Sequence, residues 1–148
     1  MRKIICLFLI LSLLFALLSC GEEKDAYSML TDFASAYGVE GIIYSPCVSE
    51  GEPGYMREGL AERVFLFSGR FTDNYAVLLN SRTESASECG IFVCPDALTQ
   101  LSAEEACLER IRLLGGDNGF VKTMGRIVYY STLKDRDRAE RLFSEIIK

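Results

Sequence analysis

The chain contains no histidine. That absence removes the side chain most often used as a general base near neutral pH, and with it every Ser–His and Cys–His nucleophile pair. No two cysteines stand in the Cys-x-x-Cys spacing of thioredoxin-like redox sites, and without histidine or closely paired cysteines a zinc site lacks its ligand pattern. The pair Gly115-Gly116 ends a helical pattern rather than opening one, so a phosphate-cradling loop is missing. Lys and Arg form no stripe interleaved with aromatics, and 21 acidic residues outnumber 16 basic ones. A nucleic-acid surface would have to neutralise phosphates, so none is expected. No repeat, low-complexity run or linker divides the chain.

What is present begins at the N-terminus. Arg2 and Lys3 precede a run from Ile4 to Leu18 that is apolar except for Ser12, the order of a secretory signal. The run is shorter than the roughly 18 or more apolar residues a spanning helix needs. It ends at Leu17-Leu18-Ser19-Cys20, which resembles the lipobox of bacterial lipoproteins: leucine three positions before the cut, a small residue just before it, and a cysteine immediately after. The resemblance implies a diacylglycerol thioether on Cys20, which becomes the new N-terminus, and a location on the extracytoplasmic face of a cell membrane. The organisation expected is a signal peptide at 1–19, a lipid-anchored tether at 20–24 and one extracytoplasmic domain at 25–148. Beyond Cys20 the resemblance to small lipoproteins is one of layout only.

Charge explains why lipid would be needed. Of the 16 basic residues two leave with the signal, so 14 remain against 21 acidic ones, a balance of −7 that anionic headgroups repel. Attachment then rests on acyl chains, at about 0.8 kcal/mol per buried methylene. The four residues from Gly21 to Lys24 reach about 13 Å when extended, which holds the domain close to the bilayer.

The patterning predicts α+β: a single domain whose mostly antiparallel sheet carries two or three amphipathic helices packed on one face. Ala26, Met29, Leu30, Phe33 and Tyr37 predict a helix over 25–37 with Gly38 as its stop. Strands are expected at Ile42–Ser45, Arg63–Ser68, Tyr75–Asn80 and Ile91–Cys94, with a hairpin loop over Gly69–Asn74. Ser102 and Glu105 match a capping box, predicting a helix whose buried face holds Ala106, Cys107, Ile111 and Leu114. Phe120–Ser131 reads as strand broken at Gly125, and Thr132 with Asp135 predicts the cap of a last helix carrying Ala139, Leu142, Phe143, Ile146 and Ile147.

Few residues are left to carry chemistry. With Cys6 removed and Cys20 lipidated, Cys47, Cys89, Cys94 and Cys107 are disulfide candidates in an oxidising compartment, with three connectivities open; buried free thiols are the plainer alternative. Ser131-Thr132-Leu133-Lys134 has the Ser-x-x-Lys spacing of penicillin-binding proteins, but the Lys-Thr-Gly strand those enzymes need is missing, and a cap beside a solvated lysine explains the residues. Asp117-Asn118-Gly119 is a turn without the distal acid of a calcium loop. The expectation is therefore a non-enzymatic accessory or protein-interaction module of the cell envelope. It would carry no cofactor or metal, anchor in membrane lipid through Cys20, and meet an envelope protein through a sheet edge or the Cys47–Tyr55 loop. The alternative is a small-ligand-binding lipoprotein in which Tyr44, Tyr55, Phe71 and Tyr75 line a pocket. Replacing Cys20 with alanine is expected to leave the unprocessed precursor in the membrane fraction; mature protein that differs in mass from the wild-type mature protein by the sulfur atom alone, read by mass spectrometry, would refute the lipidation.

Overall fold

The computed structural model describes residues 25–57, 59–65, 72–80, 87–115 and 117–148. The signal, Cys20 and the tether lie outside them. Asp25 opens the first helix, α1 (Ala26–Tyr37), by accepting the Ser28 backbone N–H at 2.7 Å, one of the donors a helix start leaves unpaired. Strand β1 (Ile42–Tyr44) and a turn-rich loop lead to the short helix α2 (Leu60–Phe65). Next come β2 (Tyr75–Asn80), β3 (Ser87–Val93) and the long helix α3 (Ala97–Leu114). A two-stranded unit, β4 (Phe120–Met124) and β5 (Ile127–Ser131), precedes the closing helix α4 (Arg136–Ile146).

The five strands form one antiparallel sheet in the order β1-β2-β3-β5-β4. Side chains alternate across a strand, so the register sorts them into two sets. Ala76, Leu78, Cys89, Ile91 and Tyr129 pack with Met29, Leu30 and Phe33 of α1 and Ala139 and Phe143 of α4. Tyr75, Val77, Phe92, Val128 and Tyr130 pack on the other side with Ala61 and Phe65 of α2 and Ala103, Ala106 and Cys107 of α3. The domain is a single α+β unit with an antiparallel sheet, as its sequence predicts. Its helices, however, cover both faces, two on each, where the pattern led us to expect one covered face. The reason is visible in β2 and β5: Tyr75 to Leu78 and Val128 to Ser131 are buried at every position, which a sheet with one wet face does not produce.

Three further boundaries move for local reasons. Arg63 to Phe65, expected as strand, belong to α2, because Ala61 and Phe65 are buried at helical spacing; the rest of that expected strand lies outside the described residues. Helix α3 starts at Ala97, since Asp96 accepts the Thr99 N–H at 2.8 Å, and Ser102 and Glu105 lie within the helix instead of capping it. Asp135, not Thr132, caps α4, accepting the Arg138 N–H at 3.0 Å, while the Thr132 hydroxyl accepts the Glu88 N–H at 2.8 Å.

Glu88 lies near the start of the central strand, on the α3 side. It forms a two-pronged ion pair with Arg110 of α3, Nη2 to Oε1 at 2.5 Å and Nε to Oε2 at 2.9 Å, and the Tyr130 hydroxyl donates to Oε2 at 3.3 Å. Arg110 also donates to the Val64 carbonyl of α2 at 3.3 Å, so one guanidinium ties both helices of this face to the sheet. Beside it, Gly90 has no room for a side chain: a Cβ would sit 2.6 Å from the Tyr130 ring and 3.1 Å from the Ala76 carbonyl. Truncating Glu88 to alanine strands a partly buried guanidinium, and a loss of about 3 kcal/mol is expected in urea unfolding. Replacing Glu88 and Arg110 together with methionine should recover much of that loss; a double variant as unstable as E88A would show that the pair is not the cause.

Candidate functional site

A cleft of about 340 Å³ opens where the loop after β1, the start of α2 and the approach to β2 converge. Its walls are held by backbone pairing. Ser45 is buried at the end of β1; its N–H donates to the Gly54 carbonyl at 3.0 Å and its hydroxyl to the Tyr75 carbonyl at 2.8 Å. Gly54 has φ +94°, and a Cβ there would collide with the Ile43 carbonyl, so the loop can fold back on β1 only through glycine. This return delivers Tyr55 and Met56 to one wall. On the opposite wall, the Thr72 hydroxyl donates to the Val93 carbonyl at 2.5 Å and accepts the Asn74 N–H at 3.1 Å. Asn74 Oδ1 in turn accepts the Ala26 N–H at 2.9 Å, which ties the start of β2 to α1.

Among the described residues the charged lining is two carboxylates and one guanidinium. Glu62 of α2, Asp73 and Arg57 face the cleft together with the rings of Tyr55 and Tyr75. Oε2 of Glu62 is enclosed by protein atoms, and among the described residues no hydrogen bond reaches it. Burial, with Glu62 and Asp73 adding to it, pushes the Tyr75 hydroxyl up to about 12. The site is therefore a half-open, tyrosine-walled cleft in a negative field.

The aromatic candidates divide accordingly. Tyr55 and Tyr75 do line this cleft, Tyr44 packs against the core on the α2 and α3 face, and Phe71 lies outside the described residues. Arg57, Glu62 and Asp73 were not singled out by sequence, because nothing in local spacing marks residues that a loop brings together. The Ser-x-x-Lys match comes apart: Ser131 is fully buried with its hydroxyl accepting the Leu133 N–H at 3.1 Å, while Lys134 is exposed. Among the described residues no three His, Cys, Asp or Glu side chains are grouped to hold a metal ion, and no helix is long and apolar enough to cross a membrane.

The four cysteines of the domain are unbonded thiols in this structure. Cys47 is exposed, with its sulfur 3.2 Å from the Ser45 hydroxyl oxygen. Cys89 is buried with α1 and α4, whereas Cys94 and Cys107 share the opposite core with α2 and α3. Burial pushes Cys94 up to about 11, with Asp96 and Glu104 adding to it, and raises Cys89 and Cys107 as well, so these thiols stay protonated and unreactive. Of these four, iodoacetamide is expected to label Cys47 alone in the folded domain and all four in urea without reductant. Two thiols that label in urea only after reduction would instead establish a disulfide, and Cys94 with Cys107 is the buried pair that shares a face of the sheet.

Protein families, curated proteins and solved structures contain no match to this chain, so its function rests on the geometry of its own residues.

Proposed function

We propose that the chain is a lipid-anchored, extracytoplasmic and non-enzymatic interaction module of a bacterial cell envelope. The lipobox-like Leu17-Leu18-Ser19-Cys20 supports the address. The outer face of α3 supports the interaction: Leu98, Leu101, Leu108 and Leu113 are 79%, 53%, 58% and 49% exposed. Burying a leucine stabilises by about 1.5–3 kcal/mol, and a folded domain that leaves four of them on one helix in water forgoes that gain until something covers them. Leu98, Leu101 and Leu108, with Glu105 and Arg112 between and beyond them, follow alternating steps of three and four residues, the spacing of a seam between two helices. The helix spans about 27 Å, enough for several turns of a partner.

The fitting partner is an amphipathic helix of another envelope protein. Its apolar stripe would lie on these leucines, with a basic residue set within the stripe to meet Glu105 and another beside it to meet Glu104. Sheet edges compete poorly for the role. Strand β1 has only three residues, and β4 carries Lys122 paired with Glu140 at 2.5 Å and Thr123 bonded to Glu104, polar side chains that discourage strand addition. A second reading, binding of a small ligand, has separate support in the Glu62 cleft.

A photo-crosslinking side chain placed at Leu108 in intact cells is expected to give one recurring adduct that Leu101→Asp abolishes, while the same group at Arg141 on α4 does not give it. No adduct from position 108, or the same adducts from both positions, would overturn the assignment of this face. An adduct of twice the chain's mass would replace the separate partner with a second copy.

A further inference from the structure

The most exposed leucine of α3 stands at the end of the domain that the tether holds to the bilayer. Asn74 fixes that end: its Oδ1 accepts the Ala26 N–H at 2.9 Å and its carbonyl accepts the Val93 N–H at 2.8 Å, so the start of α1 lies beside the end of β3. Helix α3 begins soon after Val93, at Ala97, and runs back along the sheet, because Arg110 near its far end meets Glu88 near the start of β3. Leu98, 79% exposed, is therefore at the anchored end, and Leu108 lies about 15 Å further along the axis.

The short tether limits how this face can meet the membrane. Gly21 to Lys24 reach about 13 Å even when fully extended. Helices α1 and α3 pack on opposite faces of the sheet, which separates the start of α1 from the outer side of α3 by about 25 Å. With Cys20 anchored beside α1, the leucines cannot lie flat on lipid. Helix α3 instead leads away from the bilayer, and its line of leucines rises with it.

The same geometry argues against a second copy as the occupant. Two chains anchored in one membrane both have α3 leading outward, so only parallel pairing is open to them. A closed two-fold pair then sets each residue of the seam against its own counterpart. Leu98, Leu101 and Leu108 would be matched, but Glu105, exposed between Leu101 and Leu108, would face another Glu105. Two carboxylates held together in an apolar seam oppose association. A different chain avoids this by carrying a basic residue at that layer.

We infer that the partner is an integral membrane protein, and that the helix it lays on α3 is the direct extramembrane continuation of one of its spanning helices. Outward from the bilayer, that helix sets apolar residues against Leu98 and Leu101, a basic residue against Glu105 and an apolar residue against Leu108. The narrow gap requires the continuity. A helix that covers Leu98 extends about one turn, roughly 5 Å, beyond it towards the bilayer, which leaves only a few residues before the headgroups. The inference rests on the lipidation of Cys20 and on the α3 interface proposed above.

The test places a photo-crosslinking side chain at Leu98 or at Leu108 of the full-length chain in intact cells and maps the joined peptides by mass spectrometry. Both positions are expected to join one partner, the peptide from position 98 adjoining a spanning segment and that from position 108 about ten residues further from it. A rigid helical spacer of about 30 residues between Lys24 and Asp25 lifts the domain by about 45 Å and is expected to cut both adducts at least about tenfold. A flexible Gly-Ser insert of equal length should retain them. A partner without a spanning segment, the reverse order of peptides, an adduct of twice the chain's mass, or adducts unchanged by the rigid spacer would overturn this inference while the α3 interface survives. Lipid joined at position 108 would make the bilayer the occupant and overturn it as well. No adduct from either position with the native tether means that the α3 interface itself fails.

Discussion

The structure turns on the pairing of Glu88 with Arg110. Helix α3 is an unusual core element: the residues it buries are Thr99, Ala103, Ala106 and Cys107, all small, while leucines occupy its outer side. Apolar burial alone would favour rolling the helix to bring those leucines inward. Against that stands a guanidinium fixed in two places on a buried carboxylate, together with the close approach that small residues permit. Rolling α3 would leave that charge unpaired and would also carry Ala103, Ala106 and Cys107 away from the sheet, so the ion pair and the close fit of these small residues together hold the rotation of α3. The exposed leucine face follows from that rotation, and so does the position of α2, whose Val64 carbonyl accepts from the same Arg110.

How much of this the sequence displayed depends on the range of the interaction. Helix α1 was legible from end to end, because Asp25, the apolar spacing and Gly38 are all local signals. The break at Gly125 was legible for the same reason, and Met124 pairs directly with Ile127 across it. Ser102 and Glu105 misled because a capping box is a pattern of only two residues, and the helix is in fact capped by Asp96, six residues earlier. Thr132 misled differently: its hydroxyl and N–H are both committed to Glu88, 44 positions away, a pairing that no local rule contains. The second helical layer was written in the continuous burial of β2 and β5, yet the same runs are compatible with a buried helix segment, and only the sheet register decides between the two.

The cleft was the least legible part. Two of its tyrosines could be named in advance as candidates, but the residues that give it chemical character could not. No local pattern marks Glu62, and Asp73 falls within the expected hairpin loop of Gly69–Asn74. They come together through the bonds from Ser45 to Gly54 and to Tyr75 and through the strap of Thr72 and Asn74, contacts that span up to 48 positions. The signal for such a site is a concave grouping of charged side chains and rings, which exists only once the chain has folded.

Helix α2 belongs to both candidate surfaces. Glu62 faces the cleft, and two residues later Val64 receives Arg110 from the helix that carries the leucines. A helix of six residues does not hold itself together in water, so α2 depends on Ala61 and Phe65 packing beneath it and on that one bond from Arg110. Phe65 meets Phe92 and Tyr130 edge-on, with centroids 5.3 Å and 5.8 Å apart, which connects the shortest helix to the central strand and to the ring seated over Gly90. Any change that loosens this packing therefore reaches the cleft and α3 together. Changes to polar groups at the mouth of the cleft or to leucines on the outer face leave it intact, which is why the two surfaces can be assigned separately even though one short helix underlies both.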